Sequence, residues 1–139
     1  MKNLDRLIRK LDKLGGNAHE AVKKGVGQAT KLVQGDAKML APRDTGDLAQ
    51  SIIESVTFDG DEVVGKVSTN IEWGSYVEFG TGQRGEASNY EGDVDLSYRQ
   101  DWAGMDAQPY MYPAINQNRK EIPQIVANEV KKEIKRLGG

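Results

Sequence analysis

The chain has 139 residues, a formal net charge of -2 and 37% hydrophobic residues, the size and balance of one domain with a modest core. It has no cysteine, which excludes a disulfide framework, a zinc-thiolate site and a thiol nucleophile, and fits a reducing compartment. No stretch approaches the ~18 apolar residues of a membrane span, and charges interrupt MKNLDRLIRKLDKL at every turn, unlike the apolar run of a signal peptide. The expectation is a soluble protein made in the cytosol, with no membrane partner.

The charge is unevenly placed. Residues 1–43 hold ten Lys/Arg and four Asp/Glu, residues 44–115 three and fourteen, and residues 116–139 six and three. Basic ends around an acidic middle favour contacts between copies or with a charged partner; the plainer reading is a set of helices with solvated basic faces.

In chain order, Leu4, Leu7, Ile8, Leu11 and Leu14 follow helix spacing until Gly15-Gly16 interrupts them. Asn17 and Glu20 have the shape of a capping box. Ala18, Val22, Val26, Ala29, Val33, Ala37 and Leu40 then recur at intervals of four and three. This predicts a helix with a stripe of small residues, ended by Pro42. Gly25, Gly27 and Gly35 each weaken it by roughly 1 kcal/mol against alanine, so it must lean on packing.

In APRDTGDLAQSI, 41–52, Asp44 or Thr45 is expected to cap a short helix that carries Leu48 inward, with Gly46 and Asp47 in its first turn. Ile52, Val56 and Phe58 then share one strand parity. Asp59-Gly60 is a hairpin signal, and Val63, Val67 and Ile71 continue on the returning strand. A turn is expected at 70–75. Tyr76-Val77-Glu78-Phe79 alternates, and Val77 and Phe79 are expected in a third strand, completing a small antiparallel meander.

Residues 80–107 show no sustained period. A loop of this length in a compact domain is usually functional or disordered. Ordering it would need a partner surface, with Tyr90, Leu96, Tyr98 and Trp102 as the candidate anchors. QPYMYPAI follows, with Pro113 suited to open a helix. Ile115, Ile122, Val126, Val130, Ile134 and Leu137 mark the last helix, which Pro123 should kink or split near 119–122.

Gly80, Gly82 and Gly85 spell G-x-G-x-x-G, the form of a dinucleotide-binding turn. That turn must open a helix within a βαβ unit, and EASNYEGDVD offers no apolar stripe for one. The alternative is that the glycines let the chain leave the sheet edge sharply. Asp93, Asp95 and Ser97 start like a calcium loop, but Tyr98 and Gly104 stand where glycine and glutamate are required. His19, the one histidine, stands beside a helix cap with no nucleophile elbow to support a triad. Acidic residues among the basic ones argue against specific nucleic-acid binding. No catalytic residue, metal site or cofactor remains, and a binding or assembly domain is the expectation.

Three segments in order, APRDTGDLAQSI, YVEFGTG and QPYMYPAI, resemble the small head–tail joining proteins of tailed bacteriophages, the neck, tail-completion or tail-component family. The matching positions are Ala41, Pro42, Asp44, Thr45, Gly46, Leu48, Ser51 and Ile52, then Tyr76 to Thr81 with Gly82 next, then Gln108, Pro109, Met111, Pro113 and Ala114. Tyr110 stands where that family often has phenylalanine, and Pro123 is an unexpected interruption.

The resemblance implies an α+β fold: a small antiparallel sheet packed against a long N-terminal helix and a C-terminal helix, with a long loop at about 80–107. It implies a single joining domain over 1–139, with helical region 1–40, sheet and loop 44–112, and C-terminal helix 113–137. It also implies a structural, non-enzymatic virion protein without a cofactor. Its place would be a homo-oligomeric ring, sixfold or twelvefold, between the portal, adaptor or head-completion protein and the tail-terminator or tail-tube protein. A tail terminator capping the tube is the near alternative. A nucleic-acid-binding accessory protein and a small nucleotide-using enzyme are the alternatives of other classes.

Overall fold

A computed structural model describes residues 18–43, 46–59 and 62–136. The elements are α1 (Ala18–Leu40), α2 (Asp47–Ser51), β1 (Ile53–Asp59), β2 (Glu62–Ser68), α3 (Gly74–Phe79), α4 (Gly82–Ala87), α5 (Met111–Asn116) and α6 (Glu121–Arg136). The fold is α+β, with a long N-terminal helix, a two-stranded antiparallel sheet and a C-terminal helix. The Leu4–Leu14 stripe and the Asp44 and Thr45 caps lie outside the described residues.

The chain divides into two compact units. The first is drawn from residues 1–33, 54–67 and 117–139. Its described part is the first four turns of α1, most of the β1–β2 hairpin, and α6. The buried positions of α1 here are Ala21, Gly25, Ala29, Thr30 and Val33, with Val22 and Val26 only half-buried. This face shares Ala29 and Val33 with the expected stripe but is rotated from it at its N-terminal end. Gly25 explains the rotation: a Cβ there would lie 2.7 Å from Val126 Cα, so the backbone of α6 approaches α1 where no side chain stands. Val126 and Val130 supply the facing apolar surface. Val56 of β1 sits over Gly27.

A buried carboxylate also ties α1 to α6. Glu129 accepts from Gln28 Nε2 at 2.7 Å and from Lys132 Nζ at 3.2 Å, and Lys24 Nζ stands at 3.9 Å. His19 is exposed, its ring edge-on to Phe58 at 6.2 Å. Lys23 Nζ lies 5.0 Å above the Phe58 ring, within cation–π range.

The second unit is drawn from residues 34–53 and 68–116. Ala37, Leu48, Ile52, Val77, Tyr110 and Ala114 form its core. The short helix α2 does carry Leu48 inward. Its N-cap is Gly46, at φ +80°, which has no side chain to cap with. Ser51 Oγ and Thr69 Oγ1 share a hydrogen bond of 2.6 Å, and Gln34 Nε2 donates to Ile52 O at 2.9 Å.

Two expectations are corrected. Residues 74–79 form helix α3, not a third strand, so the sheet has two strands and not a meander. Tyr76 is 58% exposed while the adjacent Val77 and Glu78 are both buried, a pattern that alternation forbids and a helix face permits. A helix also forms inside the glycine motif. The buried positions of α4 are Gly82 and Gly85, a face built of backbone that no hydropathy pattern can mark.

The expected break near Pro123 is present. Helix α5 ends at Asn116 and α6 begins at Glu121, with Pro123 in its first turn, where a missing N–H costs nothing. Among the described residues no helix is long and apolar enough to cross a membrane.

Candidate assembly site

The three segments of interest lie in the second unit. Helix α3 is short because its ends are fixed by turns: Gly74 N donates to Ile71 O at 3.0 Å, and Gly80 N to Tyr76 O at 2.8 Å. Gly80 then takes φ +75° and ψ 179°. A Cβ at Gly80 would stand 2.7 Å from Ala107 N and 2.8 Å from Met105 O. Glycine is therefore required twice over, by conformation and by the close approach of the returning loop. Thr81 and Met105 form an isolated antiparallel bridge, with N–O distances of 2.9 and 3.0 Å.

Glu78 organises the rest. It is 4% exposed, and its carboxylate accepts four hydrogen bonds. Oε1 takes the backbone N–H of Tyr110 at 3.0 Å and of Met111 at 2.7 Å; Oε2 takes the N–H of Tyr112 at 3.2 Å and the hydroxyl of Tyr90 at 2.7 Å. The three amides open helix α5, whose first N–H groups have no partner within the helix. A carboxylate there satisfies them and places negative charge at the positive end of the helix. Burial, followed by the hydrogen bond to Glu78, pushes the Tyr90 hydroxyl well above its ordinary value. Burial and the nearby Glu78 charge push Tyr110 up to about 12.

Tyr110 is 1% exposed and its hydroxyl donates to Gly74 O at 2.9 Å. Gln108 N donates to Val77 O at 2.8 Å. Helix α3 and the 108–112 segment are thus bound at both ends. Leu48 joins them: a Cβ at Gly74 would meet Tyr110 Oη at 2.9 Å and Leu48 Cδ1 at 3.4 Å. All three segments of the resemblance converge on one small core. Pro42, Pro109, Met111 and Pro113 are half-buried around it.

The long loop after α4 folds back on this core. Tyr98 OH donates to Phe79 O at 2.8 Å, Ala107 N to Ser88 Oγ at 3.0 Å, and the Tyr90 ring stands edge-on to Phe79 at 4.9 Å. Of the four candidate anchors, Tyr90 and Tyr98 are half-buried and hydrogen-bonded within the unit. Leu96 is half-buried and Trp102 is 52% exposed. Beside them lies a groove of about 550 Å³ lined by Tyr76, Phe79, Leu96, Tyr98, Arg99 and Trp102.

Sequence reasoning named Glu78 as a motif position but not its burial, and missed Glu129 altogether. For Glu78 the available signal was an acid flanked by Val77 and Phe79. Among the described residues no group of His, Asp or Glu could hold a metal ion.

A family profile described as "Bacteriophage HK97-gp10, putative tail-component" matches residues 5–80, more than half of the chain, and the chain belongs to that family. The match takes in APRDTGDLAQSI and ends at Gly80 of YVEFGTG. QPYMYPAI lies beyond it and is joined to the matched region by the Glu78 hydrogen bonds. No curated protein and no solved structure matches the chain.

Proposed function

We propose that this chain is a structural subunit of the phage neck, forming a ring that joins the portal or head-completion proteins to the tail. Membership of a tail-component family carries this reading. A tail component belongs to the virion and contacts other virion proteins, which supports a structural role. The convergence of the three segments on the Glu78 core supports their acting together as one element within the second unit.

A ring of identical copies needs two different, complementary patches on every copy, because the contact is head-to-tail. The basic 1–43 region and the acidic 44–115 region have the opposite characters such a contact uses. Surface ion pairs contribute only about 0–1 kcal/mol each, so apolar groups must also be covered.

Imaging tests this. Particles made without the chain should be full heads lacking tails, beside free tails. Complete virions should show the chain as a closed ring at the neck. Overlong tails on normal necks would point instead to a tail terminator. Absence from the particle, or isolated single copies, overturns the ring and the neck role together.

A further inference from the structure

We infer that the open edge of β1 is a docking site for a strand, and that its occupant is β2 of a second copy. This rests on the ring reading and specifies its contact. The sheet has two strands, so each has one edge without a partner strand. Among the described residues, no backbone–backbone hydrogen bond from outside the hairpin reaches 53–59 or 62–68. Exposed edges are usually blunted by lysine, proline or a bulge. Strand β1, IESVTFD, has neither lysine nor proline, and Val56, Thr57 and Phe58 favour extended backbone.

A groove of about 830 Å³ lies against β1. Glu54, Ser55 and Val56 line it together, with Gly27 of α1 and with Glu133 and Arg136 of α6. Its lining among the described residues takes nothing from β2. Successive strand residues point to opposite faces. Val56 faces α1, over Gly27, whereas Ser55 faces away and is exposed. Three consecutive residues share one cavity only along the edge of the strand, where the backbone itself is reached. Stacking on the sheet's outer face is disfavoured. Away from α1 the hairpin presents Ser55, Thr57, Glu62, Val64 and Lys66, all exposed and mostly polar, the solvated face of an antiparallel sheet.

Charge and closure select the occupant. Strand β1 carries Glu54 and Asp59 and no cation; β2 carries Glu62 and Lys66, the hairpin's one cation. The groove lining is balanced, with four Lys/Arg and four Glu, so the seam between strands decides. Pairing β1 with β1 sets four carboxylates along that seam, whereas pairing it with β2 brings a lysine to an acidic strand. A β1–β1 contact also closes a two-fold dimer. A β1–β2 contact leaves one free edge of each kind and continues from copy to copy around a ring. The main-chain hydrogen bonds of strand addition hold it.

The chain has no cysteine, so introduced cysteines report single contacts. A tagged Ser55→Cys chain is mixed with an untagged chain carrying Glu62→Cys, Val64→Cys or Lys66→Cys, all full length, and oxidised in solution and in assembled particles. These positions share the exposed face, so their replacement spares the fold, and the three partners sample three registers of the seam. Opposed Cα atoms in an antiparallel pair lie about 4.5–5.5 Å apart, within disulfide reach. At least one mixed link is expected, several-fold above the Ser55→Cys self-link and above a control pairing with the exposed Gln83→Cys. In the unmodified protein, the outward amides of 53–59 should exchange several-fold more slowly in the assembled particle than in the free chain.

No mixed link in either setting overturns the inference. So does a Ser55→Cys self-link that exceeds every mixed link, the mark of two-fold β1 pairing, or unchanged exchange of 53–59 on assembly. A neck ring without the link sinks this contact alone. A mixed link in a chain missing from the virion keeps the contact and sinks the neck reading.

Discussion

Glu78 Oε1 lies 2.7 Å from the backbone nitrogen of Met111, 33 residues further along the chain. The bond makes a side chain of one short helix the cap of another. Neither α3 nor α5, each of six residues, is long enough to be stable alone. Each exists because the other closes its polar accounts: α3 supplies the carboxylate, and the α5 segment returns Tyr110 OH to Gly74 O.

Glu78→Gln should therefore destabilise the protein by about 1–3 kcal/mol. It removes the negative charge from the helix end and turns one acceptor into a donor facing N–H and O–H groups. Tyr90→Phe removes one of the four bonds and should cost less, about 1–2 kcal/mol. Urea unfolding of the three proteins checks the order. Equal stability of Glu78→Gln and the parent would refute the capping role.

The raised Tyr110 value makes a pH prediction. A folded value of about 12 against an ordinary 10.0 means that the fold favours the neutral phenol. Its contribution is complete below pH 10.0 and is lost as pH rises through about 12. Tyr90 acts in the same direction. Stability should fall between pH 10.0 and about 12, and fall less steeply in Tyr110→Phe. That variant should also lose about 1 kcal/mol at neutral pH, since Gly74 O keeps no tyrosine donor. An unchanged alkaline slope would exclude the assignment.

Two glycines of α1 should respond in opposite ways to alanine. At Gly35 a Cβ meets nothing within 4 Å, so Gly35→Ala should stabilise by about 0.5–1 kcal/mol through helix propensity alone. At Gly25 the new Cβ would press on Val126 Cα at 2.7 Å, and overpacking should destabilise by about 1–3 kcal/mol. Thermal or chemical unfolding separates the two signs. A stabilised Gly25→Ala would mean that α1 and α6 do not meet there.

The parts of this fold that sequence reveals are those whose pattern outlasts a few residues. Helix α1 extends over 23 residues and the hairpin over two strands of seven, so period and turn signals accumulate. Pro123 marked the break before α6 because proline acts through its own covalent structure. Helix α3 was read as strand because four alternating residues fit both periods, and the decisive fact, burial of Glu78, depends on partners 12 to 34 residues away. Helix α4 buries glycines, which carry no hydropathy signal. The order of the three segments was legible; the carboxylate that joins two of them was not, since an acid in a sequence reads as solvated.

Glu129 is the counterpart in the first unit and predicts behaviour in acid. The Gln28 amide, then Lys132 and Lys24, hold its carboxyl below the ordinary 4.5 against the opposing effect of burial. A depressed value contributes stability above pH 4.5 that is lost as pH falls through the folded value. Gln28→Ala removes the largest favourable cause, so its stability should decline less steeply below pH 4.5 than the parent's. Identical acid slopes would show that Gln28 does not hold the carboxylate.

The glycine motif yields the last expectation: NAD and ATP do not bind. A dinucleotide turn needs a helix N-terminus open to the pyrophosphate, following a strand of a parallel sheet. Here Gly80 follows helix α3, and the amides that would face a phosphate are already used. Thr81 N donates to Met105 O at 2.9 Å, Gln83 N to Trp102 O at 3.0 Å and Arg84 N to Ala103 O at 2.8 Å. A phosphate entering this turn would have to displace the 102–105 segment and break all three bonds. Each exchange forfeits a made hydrogen bond, about 0.5–1.5 kcal/mol net, before any affinity is gained. Millimolar NAD or ATP should leave the melting temperature unchanged, whereas a ligand at 100 times its dissociation constant would add about 2.7 kcal/mol. A clear rise in melting temperature with either nucleotide would reopen the enzyme reading.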